Sequence, residues 1–274
     1  MKKERILFIE DSKSLSKILT KKMENELEFE VSQAFTFAEA QEIIEKDNDF
    51  FVALCDLNLP DAPDGEVVDL VLSKNIPALV LSGSNDCELQ KQFLQKNIID
   101  YVNKGNIKDI EYIFSTIERL SKNRDIKVMV VDDSIVARNE LKRVLEQQMF
   151  KVLVAAHGEE ALHYLSDNCD IKLIVTDYNM PVIDGLELVK KIREEYSKNE
   201  IIIVTMSAST EPRIASRFLK MGSNEFLRKP YEKEELVLRI NGMMHAKDDF
   251  EKLIKMAKGL IKRDKNFLEE AKRL

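Results

Sequence analysis

The stretch RILFIEDSKSLSKIL near the start of the chain returns in its middle as KVMVVDDSIVARNEL: four apolar residues, two acids, a serine, then residues at helical spacing. Further pairs follow in the same order. VALCDLNLPDAPDG matches LIVTDYNMPVIDG, ALVLSGSND matches IIIVTMSAST, and IIDYVNKG matches NEFLRKP. A repeat of this length and order is a tandem duplication, so the chain must build one kind of unit twice rather than one large domain. With 274 residues, 44% of them hydrophobic, it can supply two ordinary cores.

Within each copy, short aliphatic runs alternate with longer amphipathic stretches, the pattern of βα units feeding a parallel sheet, which makes the fold class α/β. In the second copy, strands are predicted near Lys127 to Asp132, Lys151 to Ala155, Lys172 to Asp177, Ile201 to Ser207 and Asn224 to Arg228. ALHYLSDN and LELVKKIREEY carry apolar residues three and four apart, suited to covering a sheet face. The polar stretch ERLSKNRDIK joins the copies, which puts a first domain at 1–124, a second at 125–245 and a tail at 246–274. In that tail Phe250, Ile254, Ala257 and Ile261 trace one helical stripe, with Leu253, Leu260 and Phe267 beside it. It reads as a long amphipathic helix that packs back on one of the two domains, pairs with the same helix of a second copy, or leads to an output domain.

Charge narrows the partners. A net charge of −7 argues against a nucleic-acid backbone, whose binding runs on clustered Lys and Arg. The first apolar run is interrupted by Glu10 after four residues, too short for a signal peptide or a membrane span, and the expected location is the cytoplasm. Cys55, Cys87 and Cys169 have no CxxC spacing and leave one unpaired; they read as packing residues of a reducing compartment. His157, His163 and His245 show no ligand spacing.

In an open parallel sheet the C-terminal ends of the strands lie along one edge, and ligands bind there. Asp132 and Asp133, Asp177, Ser207 and Lys229 end successive strands of the second copy and are expected to meet in one pocket. Clustered carboxylates are hard oxygen donors of the kind Mg²⁺ prefers. A lysine opposite them and a hydroxyl beside them complete an arrangement for phosphoryl transfer to a carboxylate nucleophile. Any one of these residues alone would be a helix cap, a strand-end hydroxyl or a solvated charge; it is the repeated set that argues otherwise.

On these residues both halves, over roughly residues 4 to 245, resemble the receiver domain of two-component response regulators. The resemblance implies two flavodoxin-like (βα)5 domains. It makes Asp177 the phospho-acceptor of the second domain, Asp132 and Asp133 its metal acids, Ser207 its hydroxyl residue, Phe226 its switch aromatic and Lys229 its active-site lysine. In the first domain the matching residues are Asp56, Glu10 with Asp11, Ser82, Tyr101 and Lys104. Asn58 and Asn179 stand where a backbone carbonyl completes the family's metal site. The implied cofactor is Mg²⁺, and the implied partner is a histidine kinase or phosphotransfer protein. Tandem receivers of this kind resemble the regulatory half of some diguanylate cyclases, but no GGDEF motif and no helix-turn-helix output occurs in this sequence.

Two departures mark the first domain. Glu10 replaces the commoner Asp, and Lys104 is followed by Gly105 where the second domain has Pro230, which predicts a less tightly placed Lys104. One additional residue in LPDAPDG is expected to reshape the loop beside Asp56. Two function classes follow: a phosphorylation-switched signalling module, and a docking or dimerisation scaffold whose first receiver only holds metal. A haloacid-dehalogenase-type hydrolase would need a DxD signature after the first strand, and VVDDS does not supply it.

Overall fold

The computed structural model describes residues 3–83, 86–168, 170–211 and 213–271, with Ile107 and residues 259–271 as backbone only. Cys169 and residues 272–274 of the predicted tail lie outside the described residues. Strands and helices alternate throughout: β1 (Arg5–Ile9), α1 (Lys13–Glu26), β2 (Glu30–Ala34), α2 (Phe37–Lys46), β3 (Val52–Asp56), α3 (Glu66–Ser73), β4 (Ala78–Ser82), α4 (Cys87–Leu94), β5 (Asp100–Asn103) and α5 (Ile107–Asn123). The second series is β6 (Lys127–Val131), α6 (Ile135–Gln147), β7 (Lys151–Ala155), α7 (Gly158–Asp167), β8 (Ile171–Asp177), α8 (Gly185–Glu195), β9 (Ile202–Ser207), α9 (Ile214–Met221), β10 (Glu225–Arg228) and α10 (Lys233–Ala271). The chain forms two compact units. One holds the described residues up to Arg124 with Gln147–Met149, and the other holds Asp125–Glu146 and the described residues from Phe150 on.

Each unit is one five-stranded, all-parallel sheet, ordered β2-β1-β3-β4-β5 in the first and β7-β6-β8-β9-β10 in the second. Parallel neighbours need a crossover, and the amphipathic stretches supply it as helices on both faces. Side-chain alternation along β1 shows how one strand serves two cores. Ile6 and Phe8 join Leu19 and Met23 of α1 with Ile113, Ile117 and Leu120 of α5, while Leu7 and Ile9 join Ala40 and Ile44 of α2 with Val67, Val68 and Val71 of α3. The central strands are therefore apolar throughout, as the fully buried pattern of β3 and β4 shows. The second unit repeats this with Val128 and Val130 on one face, and Met129 and Val131 on the other.

The strand order reverses on either side of β1 in the first sheet and of β6 in the second, and this opens a crevice at the C-terminal edge beside β3 and β8. The fold thus delivers the polar strand-end residues to one place in each unit. The predicted tail does not begin a new element, because α10 runs unbroken from Lys233 to Ala271. Beyond the sheet its Phe250, Leu253, Ile254 and Met256 are exposed. Cys55 is fully buried, and burial pushes its thiol far up, in keeping with a packing role; Cys87, by contrast, is exposed at the start of α4 and packs in no core.

Candidate functional site

In the first unit Asp56, the last residue of β3, and Glu10, one residue past β1, are both 1% exposed. Two buried acids side by side need a cation between them. Lys104, one residue past β5, supplies it: its Nζ lies 2.6 Å from Asp56 Oδ2 and 2.8 Å from Glu10 Oε2. The second unit repeats the bridge, with Lys229 Nζ 2.5 Å from Asp177 Oδ1 and 2.9 Å from Asp132 Oδ2. Backbone pairing sets each lysine. Lys104 N–H donates to the Ser82 carbonyl at 2.8 Å and Lys229 N–H to the Ser207 carbonyl at 2.9 Å, so hydroxyl and lysine arrive together on neighbouring strands. The peptide bond before Pro230 is cis. Lys104, followed by Gly105, is nevertheless held no less closely than Lys229, contrary to the looser placement its sequence predicts.

Backbone N–H groups order the free carboxylate oxygens. Asn58 N–H donates to Asp56 Oδ1 at 3.2 Å and Asn179 N–H to Asp177 Oδ2 at 2.7 Å. Ser12 N–H donates to Glu10 Oε1 at 3.2 Å, and Ser134 N–H to Asp132 Oδ1 at 2.9 Å. Ser82 and Ser207 are fully buried, and Ser207 Oγ accepts from Ser209 N–H at 3.0 Å. The loop after β8 returns so close that a Cβ at Gly185 would stand 2.3 Å from the Asp177 carbonyl oxygen; only glycine leaves room for that return.

Burial raises the Glu10 carboxyl, and the neighbouring Asp56 charge adds to it against the pull of Lys104. Burial likewise raises Asp177, opposed by Lys229 and by the Asn179 N–H. For both lysines burial is the largest single influence and pulls the ammonium down, yet hydrogen bonds and charge from the paired acids together carry Lys104 and Lys229 above the ordinary value. Each ammonium is thus fixed in its charged form.

Asp11 and Asp133 are exposed at the mouths. Carboxylate oxygens of Glu10, Asp11 and Asp56 lie within 4.8 Å of one another, the one such triple of metal-ligand side chains among the described residues. In the second unit Lys229 joins Asp132 and Asp177. The two aromatics also differ. The Tyr101 ring is buried against Phe93 with centroids 6.5 Å apart, and its buried hydroxyl has no hydrogen-bond partner among the described residues. Phe226 is half-buried and stacks on Phe218 at 5.8 Å.

One residue at this edge escaped the sequence reading. Asp61, in the lengthened loop of the first unit, accepts from Phe37 N–H at 2.8 Å and Ala38 N–H at 3.0 Å, closing the first turn of α2 from outside that helix. Leu59 and Ala62 exchange both backbone hydrogen bonds across the turn that presents it. The extra residue marked the loop as unusual, but nothing in the sequence tied Asp61 to a helix twenty-odd residues upstream.

Comparison with known proteins points one way. The model of the response regulator receiver domain matches residues 128–241. The chain is 38% identical over 123 residues to the chemotaxis protein CheY1 of Helicobacter pylori, a stretch that covers 42% of this chain and 99% of that protein. It is 38% identical over 103 residues to the two-component response regulator ORR3 of Oryza sativa, covering 38% of this chain and 79% of that one. A solved structure of a two-component system response regulator/GGDEF domain protein superimposes with a TM-score of 0.80 at 34% identity, covering 90% of this chain and 100% of that one.

Proposed function

This chain belongs to the response regulator receiver family, and from that premise we propose that it is a phosphorylation-switched module in which Asp177, and also Asp56, accepts a phosphoryl group from a histidine kinase or phosphotransfer protein. The observation that carries the reading is the doubled bridge: a lysine ammonium held between two buried acids, its backbone paired to a buried serine of the neighbouring strand, at the same sheet edge of both units. No described helix is long and apolar enough to cross a membrane.

The donor set fits Mg²⁺. Glu10, Asp11 and Asp56 offer hard oxygens close together, Asp132, Asp133 and Asp177 are the same donor type in the second unit, and the backbone carbonyls of Asn58 and Asn179 are the further donors that the family likeness implies. Bound there, the ion would offset the acids and draw the phosphoryl oxygens. The chain's own part is positional. The Asn179 N–H leaves one Asp177 oxygen oriented for attack on phosphorus, Lys229 supplies fixed positive charge to the transferring group, and Ser207 stands ready to donate to its oxygens. An added phosphoryl group brings roughly one and a half to two negative charges. A shift of Ser207 toward it frees space for Phe226, which now stacks on Phe218, and this reshapes the face formed by α9, β10 and α10.

A second reading has its own support. The likeness to a solved structure from a response regulator/GGDEF domain protein and the exposed apolar stretch of α10 beyond the sheet suit a regulatory and dimerisation scaffold that serves an output domain, with the first receiver as a docking surface. Intact-mass analysis after treatment with phosphoramidate and Mg²⁺ separates the two. The acceptor reading expects added phosphoryl groups that vanish in an Asp56→Asn, Asp177→Asn double variant; labelling that survives in it would sink the mechanism.

A further inference from the structure

Beyond the second sheet α10 changes the side on which it is apolar. Within the domain its buried residues are Leu236, Val237, Ile240 and Met244, which join the core with Val128, Val175 and Val204. Five turns of helix take about 18 residues, so the lines of Val237, Ile240 and Met244 continue to Lys255, Lys258 and Lys262, whereas those of the exposed Leu238 and Arg239 continue to Met256 and Ala257. The face that packs on the domain thus becomes basic, and Leu253 and Met256 stand on the side turned away from it. The core that covers the first turns of α10 does not reach them.

That outer face is broad. Phe250, Leu253, Ile254 and Met256 are 43%, 64%, 38% and 66% exposed. Ala257, Leu260 and Ile261 extend the same spacing, so apolar positions take up about half of the helix circumference. A two-stranded coiled coil buries a narrower stripe, and pairing with a second copy would leave the flanks of this arc in water. Charge adds a second constraint. From Lys252 to Arg263 the helix carries Lys252, Lys255, Lys258, Lys262 and Arg263 and no acid, in a chain whose net charge is −7. The acids just before this stretch are engaged locally: Glu251 lies 2.8 Å from Lys247, and Asp249 lies 3.5 Å from Lys252. Lys255 and Lys258 are exposed and form no ion pair among the described residues.

We infer that the stretch of α10 from Phe250 to Arg263 is an interfacial helix that lies on an anionic lipid surface. A helix with a wide apolar face opposed by Lys and Arg binds in the plane of a membrane, with its apolar side at the level where headgroups meet acyl chains. The surface covers half of a cylinder at once, which matches the width of this arc better than a partner helix does. Lysines at the flanks lay their methylene stems along the apolar surface and carry their charge to the lipid phosphates. The side of α10 that packs on its own sheet is the side the lysines continue, so a flat surface can lie along the apolar side without displacing any of that packing. The inference concerns where the chain is held and does not rest on the acceptor reading.

The test is co-sedimentation of the full chain with vesicles of phosphatidylcholine alone and of phosphatidylcholine mixed equally with phosphatidylglycerol. Binding is expected to the mixed vesicles and not to the neutral ones, and it should weaken as salt is added. Each basic residue near an anionic leaflet contributes about fivefold, so Lys255→Gln with Lys258→Gln should weaken binding by about 25-fold. Leu253→Glu with Met256→Glu should abolish it. These four residues are exposed, and both variants should unfold in urea at the parent's midpoint. The Asp56→Asn, Asp177→Asn chain should bind vesicles as the parent does, so a failed acceptor reading leaves this result standing. No binding to the mixed vesicles, or equal binding to both kinds, overturns the proposal. Binding that survives Leu253→Glu with Met256→Glu also overturns it and makes the lysines a site for a soluble polyanion. Dimerisation that the same variant abolishes, in a chain that ignores vesicles, gives the face to a second copy instead.

Discussion

The two units hold the same three charges in the same relation and surround them differently. In the first, the partner acid is the longer Glu10, a glycine follows the lysine, and the mouth carries Lys13, Ser14 and Asp61; in the second these are Asp132, Pro230 and the apolar Ile135, Val136 and Val182. The lysine-to-acid distances nevertheless agree within about 0.1 Å, 2.6 and 2.8 Å against 2.5 and 2.9 Å. The difference teaches that the charged core is set by strand pairing, since each lysine N–H is tied to the serine carbonyl of the neighbouring strand. The shell outside it is free to diverge after duplication.

The largest expected effect breaks the comparison at its centre. Asp177→Asn removes the proposed acceptor of the second unit and should abolish phosphoryl labelling of that unit; mass analysis of the remaining label then reads the competence of Asp56 by itself. Lys229→Ala and Lys104→Ala sharpen the result. Each removes the cation that the proposed reaction sets against the transferring group and should slow labelling of its own unit by about 10²-fold, the usual loss for one such donor. Equal slowing in both units supports the equivalence of the bridges, whereas a much smaller effect of Lys104→Ala would show that the first bridge holds structure only.

The next effect concerns stability, where the units differ in kind. Arg193 in α8 is half-buried, and its guanidinium donates to the carbonyls of Gly222 at 2.8 Å and Ile201 at 2.9 Å and to the Asn224 side chain at 2.8 Å, pinning the connections before β9 and β10. Burial brings it down to about 10. The first unit ends its matching helix α3 with Asn75 at φ +57° instead. Arg193→Ala should therefore destabilise the second unit by about 2–4 kcal/mol, because it strips several buried acceptors of their donor. In chemical denaturation followed by site-resolved hydrogen exchange, protection should fall in β9 and β10 and stay unchanged in β4 and β5.

Much of this was legible in the sequence, and the reasons are physical. The duplication, the α/β class and the strands of the second unit follow from apolar runs of strand length placed between helical spacings, and the observed β6 to β10 agree with the predicted strands to within one residue at each end. The gathering of Asp56, Glu10 and Lys104, and of Asp177, Asp132 and Lys229, follows because a parallel sheet brings strand ends to one edge. The continuity of α10 was not legible, since nothing in a sequence says whether an amphipathic stretch starts a new helix or extends the last. Nor was the role of Asp61, a contact between loops distant in sequence, or the exposure of Ile135 and Val136, which sequence spacing alone assigns equally well to a core.

A smaller effect separates the aromatics. The Tyr101 hydroxyl is buried without a partner among the described residues, whereas Phe226 carries no polar atom to satisfy. Tyr101→Phe relieves an unpaired buried group and should stabilise the first unit by about 1 kcal/mol. A loss of stability on thermal or urea unfolding would show that the hydroxyl has a partner in solution.

The smallest effect is a pH dependence confined to the first unit. The two α2 N–H groups that Asp61 accepts hold its carboxyl below the ordinary carboxylate range. A folded-state value below the unfolded one means that this contribution is complete above the unfolded carboxyl value, about 3.9, and is lost as pH falls through the lower folded value. Asp61 is exposed, so solvent screening keeps the effect modest. Asp61→Asn keeps one acceptor oxygen and removes the charge. It should flatten the acid limb of the first unit's stability curve between the ordinary carboxylate range and the folded value, and leave the second unit's curve unmoved, because Val182 occupies the matching position there. The measurement is hydrogen exchange of the α2 amides across the acid range in both chains. An identical acid limb in the two would show that the cap works through hydrogen-bond geometry alone, and the pH signature would then not distinguish the units.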